Sequence, residues 1–152
     1  MSYDFLIFTH IASAILLLGV GGGSAFYKFM ADKSGNLEVI VHTNKMVVLA
    51  DWLFTTPSAI VQPLTGVMLM NLLNISLWTP WLLASIVLYG FAGVLWLMAL
   101  YLQLRMKEMA MDKQRKEEIL GKDYSVLVKQ WVTLGVFSFL AMAGVFVLMV
   151  FK

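Results

Sequence analysis

His10 is the residue of this sequence whose type and position could carry chemistry. It stands inside an apolar run, residues 5–26, that contains no Asp, Glu, Lys or Arg. If this run is a helix, a rise of 1.5 Å per residue places the imidazole about 9 Å below the end of the run. An ionisable group at such a depth in lipid is costly and usually faces a partner or a cofactor. His10 is therefore the first candidate for a metal ligand.

Small and weakly polar residues follow His10 on the same helical face, and they leave two interpretations open. Small side chains beside a histidine leave room for a flat ring such as a porphyrin, with His10 as a ligand of haem iron. They also permit close helix packing, in which case His10 makes a hydrogen bond to a neighbouring helix. The residues of this face are Ser13, Ala14, Leu17, Gly21 and Ser24.

Two prolines, Pro57 and Pro63, interrupt the next apolar stretch. Each proline removes a backbone donor and crowds the preceding turn, so carbonyl oxygens are freed. Together with the side chain of Gln62, these oxygens could line a site, or neighbouring helices could satisfy them. Pro57 and Gln62 are therefore candidate cofactor contacts.

Two further ionisable residues, His42 and Asp51, lie near the start of this second stretch. His42 lies at the opposite end of the predicted bundle from His10, so the two histidines cannot bind one iron within a subunit. Asp51 lies about 7.5 Å inside the boundary, at 1.5 Å per residue. We expect its carboxylate to pair with a nearby base, and a proton relay is the alternative. The candidate bases are Lys28, Lys45 and Arg105.

The methionines offer a different chemistry, because thioether sulfur binds Cu(I). The chain has 11 of them, but they are scattered over the whole sequence, as is usual for side chains that fill a core. Met68 and Met70 are the pair that could join His10 in a copper site.

The composition identifies the class of protein that must position these residues. The chain has 152 residues, of which 61% are hydrophobic and 13% charged, and its mean hydropathy is +0.83. These values are typical of integral membrane proteins rather than soluble domains. The net charge of +2 argues against nucleic-acid binding. The absence of Cys excludes disulfides, thiolate zinc sites, iron–sulfur clusters and covalently attached haem.

The lengths of the apolar runs predict an all-α, four-helix integral membrane bundle in one domain, 1–152. About 20 apolar residues cross the bilayer, and the predicted spans are 5–27, 46–72, 78–104 and 130–151. A hairpin separates spans two and three, because turn-forming residues interrupt the long uncharged stretch there. Those residues are Asn71, Asn74, Ser76, Thr79 and Pro80.

The basic residues predict the orientation of the bundle. All of the 11 Lys and Arg residues except Lys152 fall in or beside two segments, 28–45 and 105–129. The positive-inside rule places both charged loops in the cytoplasm and both termini outside. Within the second loop, residues 106–120 are rich in helix formers, and Gly121 is expected to end that helix. We expect the inner (plasma) membrane of a bacterium.

Several stretches resemble an uncharacterised family of predicted integral membrane proteins. They read DWLFTTP at 51–57, VQPLTG at 61–66, SIVLY at 85–89 and QLRM at 103–106. That family is placed near the copper-resistance-D membrane domain and the HemJ-type protoporphyrinogen oxidases. The HemJ-type proteins are similar in having an early His, a Thr-Pro in span two, a Gly nine residues later and a Trp that opens span three. The matching residues here are His10, Thr56-Pro57, Gly66 and Trp81.

This resemblance implies haem b with His10 as an axial ligand, and it adds Gly66 and Ser85 to the candidate contacts. HemJ-type proteins have a functional Lys shortly after the Trp that opens span three, and Ser85 stands there in this chain. This chain therefore departs from the HemJ-type pattern at a residue that those protoporphyrinogen oxidases need for function. The implied partners are a porphyrin or a quinone, and the second axial ligand is open.

Three functions are consistent with these observations. The first is a haem-b protein with a redox or electron-transfer role, which would be a haem-dependent membrane oxidoreductase. The second is a copper-handling protein or small-solute transporter, and the third is a structural membrane subunit without a cofactor. The glycine-rich first span also predicts a homo-oligomer.

Overall fold

The computed structural model describes residues 2–151, and this part of the chain is all-α with no strand. Its four long helices are α1 (Tyr3–Ser34), α2 (Leu37–Leu72), α3 (Pro80–Arg115) and α4 (Lys122–Val150). Each helix is long and apolar enough to cross a membrane. The prediction of an all-α, four-helix membrane bundle is therefore confirmed for the described residues. Lys152 lies outside them.

The first connection is much shorter than the sequence predicted. The segment 28–45 was expected to be a loop, but only Gly35 and Asn36 separate α1 from α2. Gly35 ends α1 with a φ of 67°, a left-handed conformation that glycine adopts without strain. The Asn36 side chain accepts hydrogen bonds from the backbone of Glu38 and Val39, at 3.0 and 3.3 Å, and so caps α2. Polar residues continue both helices beyond their apolar spans.

The other two connections follow the predicted pattern in part. Helix α2 ends at Leu72 and α3 begins at Pro80, which confirms the hairpin. Helix α3 continues past its apolar span as expected, but it ends at Arg115 rather than at Gly121. Gly121 instead precedes α4 as its N-terminal cap. The chain leaves α3 through Glu117, whose φ is 54°.

Helix α2 contains a wide turn in its middle. Residues Asp51–Thr55 form a π-helical turn, and the Thr56 amide donates to the Asp51 carbonyl five residues before it. Pro57 follows directly, and in a regular α-helix its ring would crowd the carbonyl of Leu53, because the ring carbon Cδ takes the place of the N–H hydrogen. Widening the preceding turn relieves this crowding.

The two ends of the bundle differ in packing. The basic end carries the Gly35–Asn36 and Lys116–Gly121 connections, and the terminal end carries the start of α1, the end of α4 and the turn 73–79. The main cluster of buried apolar side chains lies toward the basic end and includes Ile40, Met106, Tyr124 and Trp131. Elsewhere many large apolar side chains face outward, as expected where lipid replaces water as the solvent.

Helices α3 and α4 pack closely through small residues. Ala92 and Ala141 are buried, and the Ser138 hydroxyl donates to the Ala92 carbonyl at 2.9 Å. A Cβ atom added to Gly144 would lie 3.4 Å from the Leu88 side chain. Small residues and hydroxyl bonds of this kind hold membrane helices together in the absence of a hydrophobic driving force.

Candidate functional site

The His10 imidazole lies between α1 and α2 and is held at both ring nitrogens. Its Nδ1 lies 2.9 Å from Thr65 Oγ1, and its Nε2 lies 3.1 Å from Gln62 Nε2. Gln62 and Thr65 are three residues apart on α2, so they share the face that meets α1. The interpretation in which His10 bonds to a neighbouring helix therefore describes the contacts that the structure shows.

Two hydroxyl groups beside the ring each have one proton and more than one acceptor. The Thr65 hydroxyl lies 2.8 Å from the Val61 carbonyl and 3.1 Å from the Gln62 carbonyl, besides its contact with His10 Nδ1. The Ser13 hydroxyl lies within hydrogen-bond distance of both the His10 carbonyl and the Gln62 amide oxygen. When Thr65 donates to its own helix, Nδ1–H is the donor to Thr65 and Nε2 is the acceptor from the Gln62 amide. This tautomer of a neutral imidazole is the one that would bind a metal through Nε2.

A cavity of about 450 Å³ lies beside His10 at the terminal end, and all four helices line it. We call it the terminal-end cavity. His10 and Gln62 contribute polar groups to a lining that is otherwise mainly apolar, and Ala14 and Gly66 keep the wall beside the ring small. A Cβ atom on Gly66 would lie 3.4 Å from His10 Cε1. The volume of the terminal-end cavity is within the usual range for small-molecule sites.

The structure brings some of the predicted site residues together and separates others. His10, Ala14, Gln62 and Gly66 line the terminal-end cavity, and Ser13 is buried behind Gln62. Pro57 and Ser85 lie outside this lining. The buried Ser85 hydroxyl donates to the carbonyl of Trp81 at 2.7 Å.

The predicted methionine pair is not a pair in the structure. Met70 lines the terminal-end cavity, whereas Met68 is 42% exposed on the outside of α2. Residues two apart on a helix do not face the same way, which explains the separation. Met142 and Met149 of α4 line the cavity with Met70. In the described part of the chain, no group of three or more His, Cys, Asp or Glu could hold a metal ion.

A larger cavity, of about 710 Å³, lies between the four helices on the basic side of the first. We call it the central cavity. Asp51, Thr55 and Gln103 line it, and each is at most 6% exposed. Gln103 Nε2 donates to Asp51 Oδ2 at 2.7 Å. The expectation of a basic partner for Asp51 was wrong, because the side chain that reaches this depth is an amide.

A buried polar network ties the helices together at the basic end. Lys28 is fully buried rather than in a loop, and its ammonium lies 2.8 Å from Asp32 Oδ2. Tyr124 donates to Asp32 Oδ1 at 2.7 Å and accepts from Asn44 Nδ2 at 3.1 Å. The Lys28 ammonium also lies 5.2 Å from the centre of the Trp131 ring. These contacts compensate a charge that would otherwise be costly to bury.

Sequence reasoning missed Thr65 as a contact of His10, and it missed Lys28 as a member of the buried network at the basic end. Thr65 was recoverable, because it lies three residues after Gln62 on the same helical face. The burial of Lys28 had no such signal, since it depends on α1 continuing to Ser34 and on Asp32, one turn later, meeting Tyr124 of α4.

The chain is similar over nearly its whole length to one described family. Residues 4–152 match the family model described as "Predicted integral membrane protein (DUF2269)". No curated protein and no solved structure matches the chain. Because the match covers all four helices, this chain belongs to the DUF2269 family of integral membrane proteins.

Proposed function

We propose that this protein binds haem b in the terminal-end cavity and has a redox or electron-transfer role in the membrane. The observation that carries the proposal is the placement of His10. Its Nδ1 lies 2.9 Å from Thr65 Oγ1, its Nε2 lies 3.1 Å from the Gln62 amide nitrogen, and its side chain lines a largely apolar cavity. Haem-binding histidines are usually oriented in this way, through a hydrogen bond from the second ring nitrogen.

The donor set suits haem better than a bare metal ion. A porphyrin supplies four nitrogen ligands of its own, so a single histidine from the protein is sufficient. The described residues offer no cluster of three or more His, Cys, Asp or Glu. The apolar walls and the short side chains of Ala14 and Gly66 fit a flat ring.

Gln62 is the group that must move for this ligand to bind. Its amide NH₂ lies 3.1 Å from His10 Nε2, where iron would compete for the same lone pair. Glutamine has three rotatable side-chain bonds, so its amide can withdraw without moving the helix. A neutral hydrogen bond contributes only about 0.5–1.5 kcal/mol net, which is small beside an iron–imidazole bond.

When bound, haem would supply a one-electron redox centre in the membrane. The chain's own contributions are to orient the imidazole, to exclude water and to offer sulfur on the facing wall. Met70, Met142 and Met149 line the same cavity, and a thioether is a known second ligand that raises the potential of haem. The similarity of His10, Thr56-Pro57, Gly66 and Trp81 to the HemJ-type pattern also supports this proposal.

The absorbance spectrum of detergent-purified protein tests the proposal. We expect a Soret band from protein expressed with excess haem precursor, and we expect His10→Ala to remove it. His42→Ala is the matched control, because His42 lies on the α2 segment Leu37–Ala50 at the basic end and should not affect the band. A haem content unchanged by His10→Ala would refute the assignment.

A Cu(I) site is the second candidate function, because His10 and three methionines line one cavity. Colourless protein that binds Cu(I) and loses it in His10→Ala would favour this candidate over haem. A protein that binds neither ligand would favour a structural subunit.

We also propose that the basic end lies in the cytoplasm and the terminal end outside a bacterial inner membrane. The support is the charge distribution, since the described Lys and Arg residues lie at or beside the basic end. A homo-oligomer stays a prediction.

A further inference from the structure

We propose that the central cavity binds a lipophilic quinol, an aromatic ring with hydroxyl groups and an apolar tail. The proposal names the electron partner and in that respect rests on the proposed function, because a quinol is a redox carrier that dissolves in the bilayer. Binding itself needs no haem, so the two proposals can fail separately.

The position of the central cavity suits a ligand that arrives from lipid. Three of its lining residues, Phe26, Leu97 and Leu140, are also 60%, 58% and 59% exposed on the outside of the bundle. Residues that both line the cavity and face outward mark an opening on the side of the molecule. In a bilayer this side faces acyl chains, so an apolar tail could remain in lipid while the ring enters.

The buried end of the cavity suits a neutral hydroxyl-bearing ring. Asp51, Thr55 and Gln103 converge there, and the Asp51–Gln103 hydrogen bond fixes the carboxyl group. A carboxylate oxygen accepts a hydrogen bond from a hydroxyl group but repels a phosphate, which argues against a phospholipid headgroup. Trp96 and Trp131 also line the cavity, and aromatic side chains pack favourably with an aromatic ring.

The central cavity adjoins the cavity beside His10. Leu18 and Met142 line both of them, so side chains rather than a helix separate the two spaces. A ring bound near Asp51 would therefore lie in the space next to the proposed haem. This adjacency, together with the side opening and the buried carboxyl group, favours a quinol over a structural lipid.

Two glycines of α3 provide a cavity-filling variant and its control. Gly93 lines the central cavity, whereas Gly90 is exposed and lines neither cavity. An added Cβ meets no atom within 4 Å at either position, so Gly93→Leu and Gly90→Leu should both fold. Only Gly93→Leu fills the space that the ring would occupy.

The test is a titration of the full chain in phosphatidylcholine nanodiscs with reduced decylubiquinol under argon. Trp96 and Trp131 make tryptophan fluorescence the natural readout. We expect saturable binding that Gly93→Leu weakens by about tenfold or more, about 1.4 kcal/mol, and that Gly90→Leu leaves unchanged. Asp51→Asn, which can still accept from Gln103, should also weaken binding.

Several outcomes would overturn the proposal. The first is that the wild type shows no saturable binding. The second is that Gly93→Leu and Gly90→Leu bind the quinol with equal affinity. The third is that the cation tetraphenylphosphonium displaces the quinol, which would indicate a cation site. His10→Ala should lose haem but keep quinol binding. Loss of both by His10→Ala would place the quinol in the terminal-end cavity and overturn the proposal. Wild-type protein that binds quinol but has no Soret band would overturn only the haem proposal.

Discussion

The Tyr89 hydroxyl of α3 donates to the carbonyl of Ala59 on α2, at 2.7 Å. This carbonyl is four residues before Pro63, which has no N–H to offer it. Tyr89 therefore supplies from one helix the donor that a proline removed from another. In lipid no water could take its place.

We expect Tyr89→Phe to lower the free energy of unfolding by about 1–3 kcal/mol, the cost of leaving a buried acceptor unpaired. Pro63→Ala in the same chain should recover most of the loss, because alanine, unlike proline, has a backbone N–H that can donate to the Ala59 carbonyl within α2. Equilibrium unfolding in mixed micelles, for both single variants and the double variant, measures this coupling. Additive effects would contradict the account.

In the proposed haem site, Thr65 should control the affinity of His10 for iron without contacting the iron. Thr65→Val keeps the shape of the side chain but removes the hydroxyl group that contacts Nδ1, and loss of such a supporting bond costs about 10–100-fold in metal affinity. Thr65→Ser retains the hydroxyl and should bind normally. Haem titration followed at the Soret band distinguishes the two, and equal affinities would show that Thr65 only packs against the ring.

Removing one charge of the buried Lys28–Asp32 pair should lower stability more than removing both. Lys28→Met leaves the Asp32 carboxylate without its ammonium partner, and breaking a buried pair costs about 3–5 kcal/mol. Lys28→Met with Asp32→Asn should recover much of this. Lys113→Met, which breaks the more exposed pair with Glu118, is the control and should not measurably change stability in thermal unfolding. Equal losses of stability in Lys28→Met and Lys113→Met would contradict this expectation.

Cysteine labelling can test the orientation cleanly, because the chain has no Cys of its own. Trp78 at the terminal end is 81% exposed and Ile119 at the basic end is 88% exposed. In intact spheroplasts, Trp78→Cys should react with an impermeant maleimide, and Ile119→Cys should react only after lysis. The reverse pattern would invert the topology.

The sequence was sufficient for the bundle but not for the contacts inside it. Four apolar runs of bilayer length predict four helices, because an unpaired backbone is too costly in lipid. The same reasoning placed Lys28 in a loop, since charge appeared to end the span. In the structure its charge is compensated by Asp32 and by aromatic rings, which are contacts that only tertiary packing creates.

Sequence reasoning named some residues of the candidate site, and their role in binding a cofactor stays a prediction. Depth in an apolar run identified His10, and a polar residue near a proline identified Gln62. What could not be predicted is that Gln62 and Thr65 take one ring nitrogen each, because this depends on how α1 and α2 are rotated against each other. The Asp51 partner was missed for the same reason, since Gln103 comes from a third helix.

The π turn at Asp51–Thr55 sets that rotation. A turn closed over five residues contains one residue more than an α-helix would use, and each helical residue accounts for roughly 100°. Deleting a single residue from this turn would keep α2 long enough to cross the bilayer and leave its hydropathy almost unchanged. It would nevertheless swing Gln62 and Thr65 around the helix axis, away from His10, so that a chain with an intact membrane signature would have lost its site.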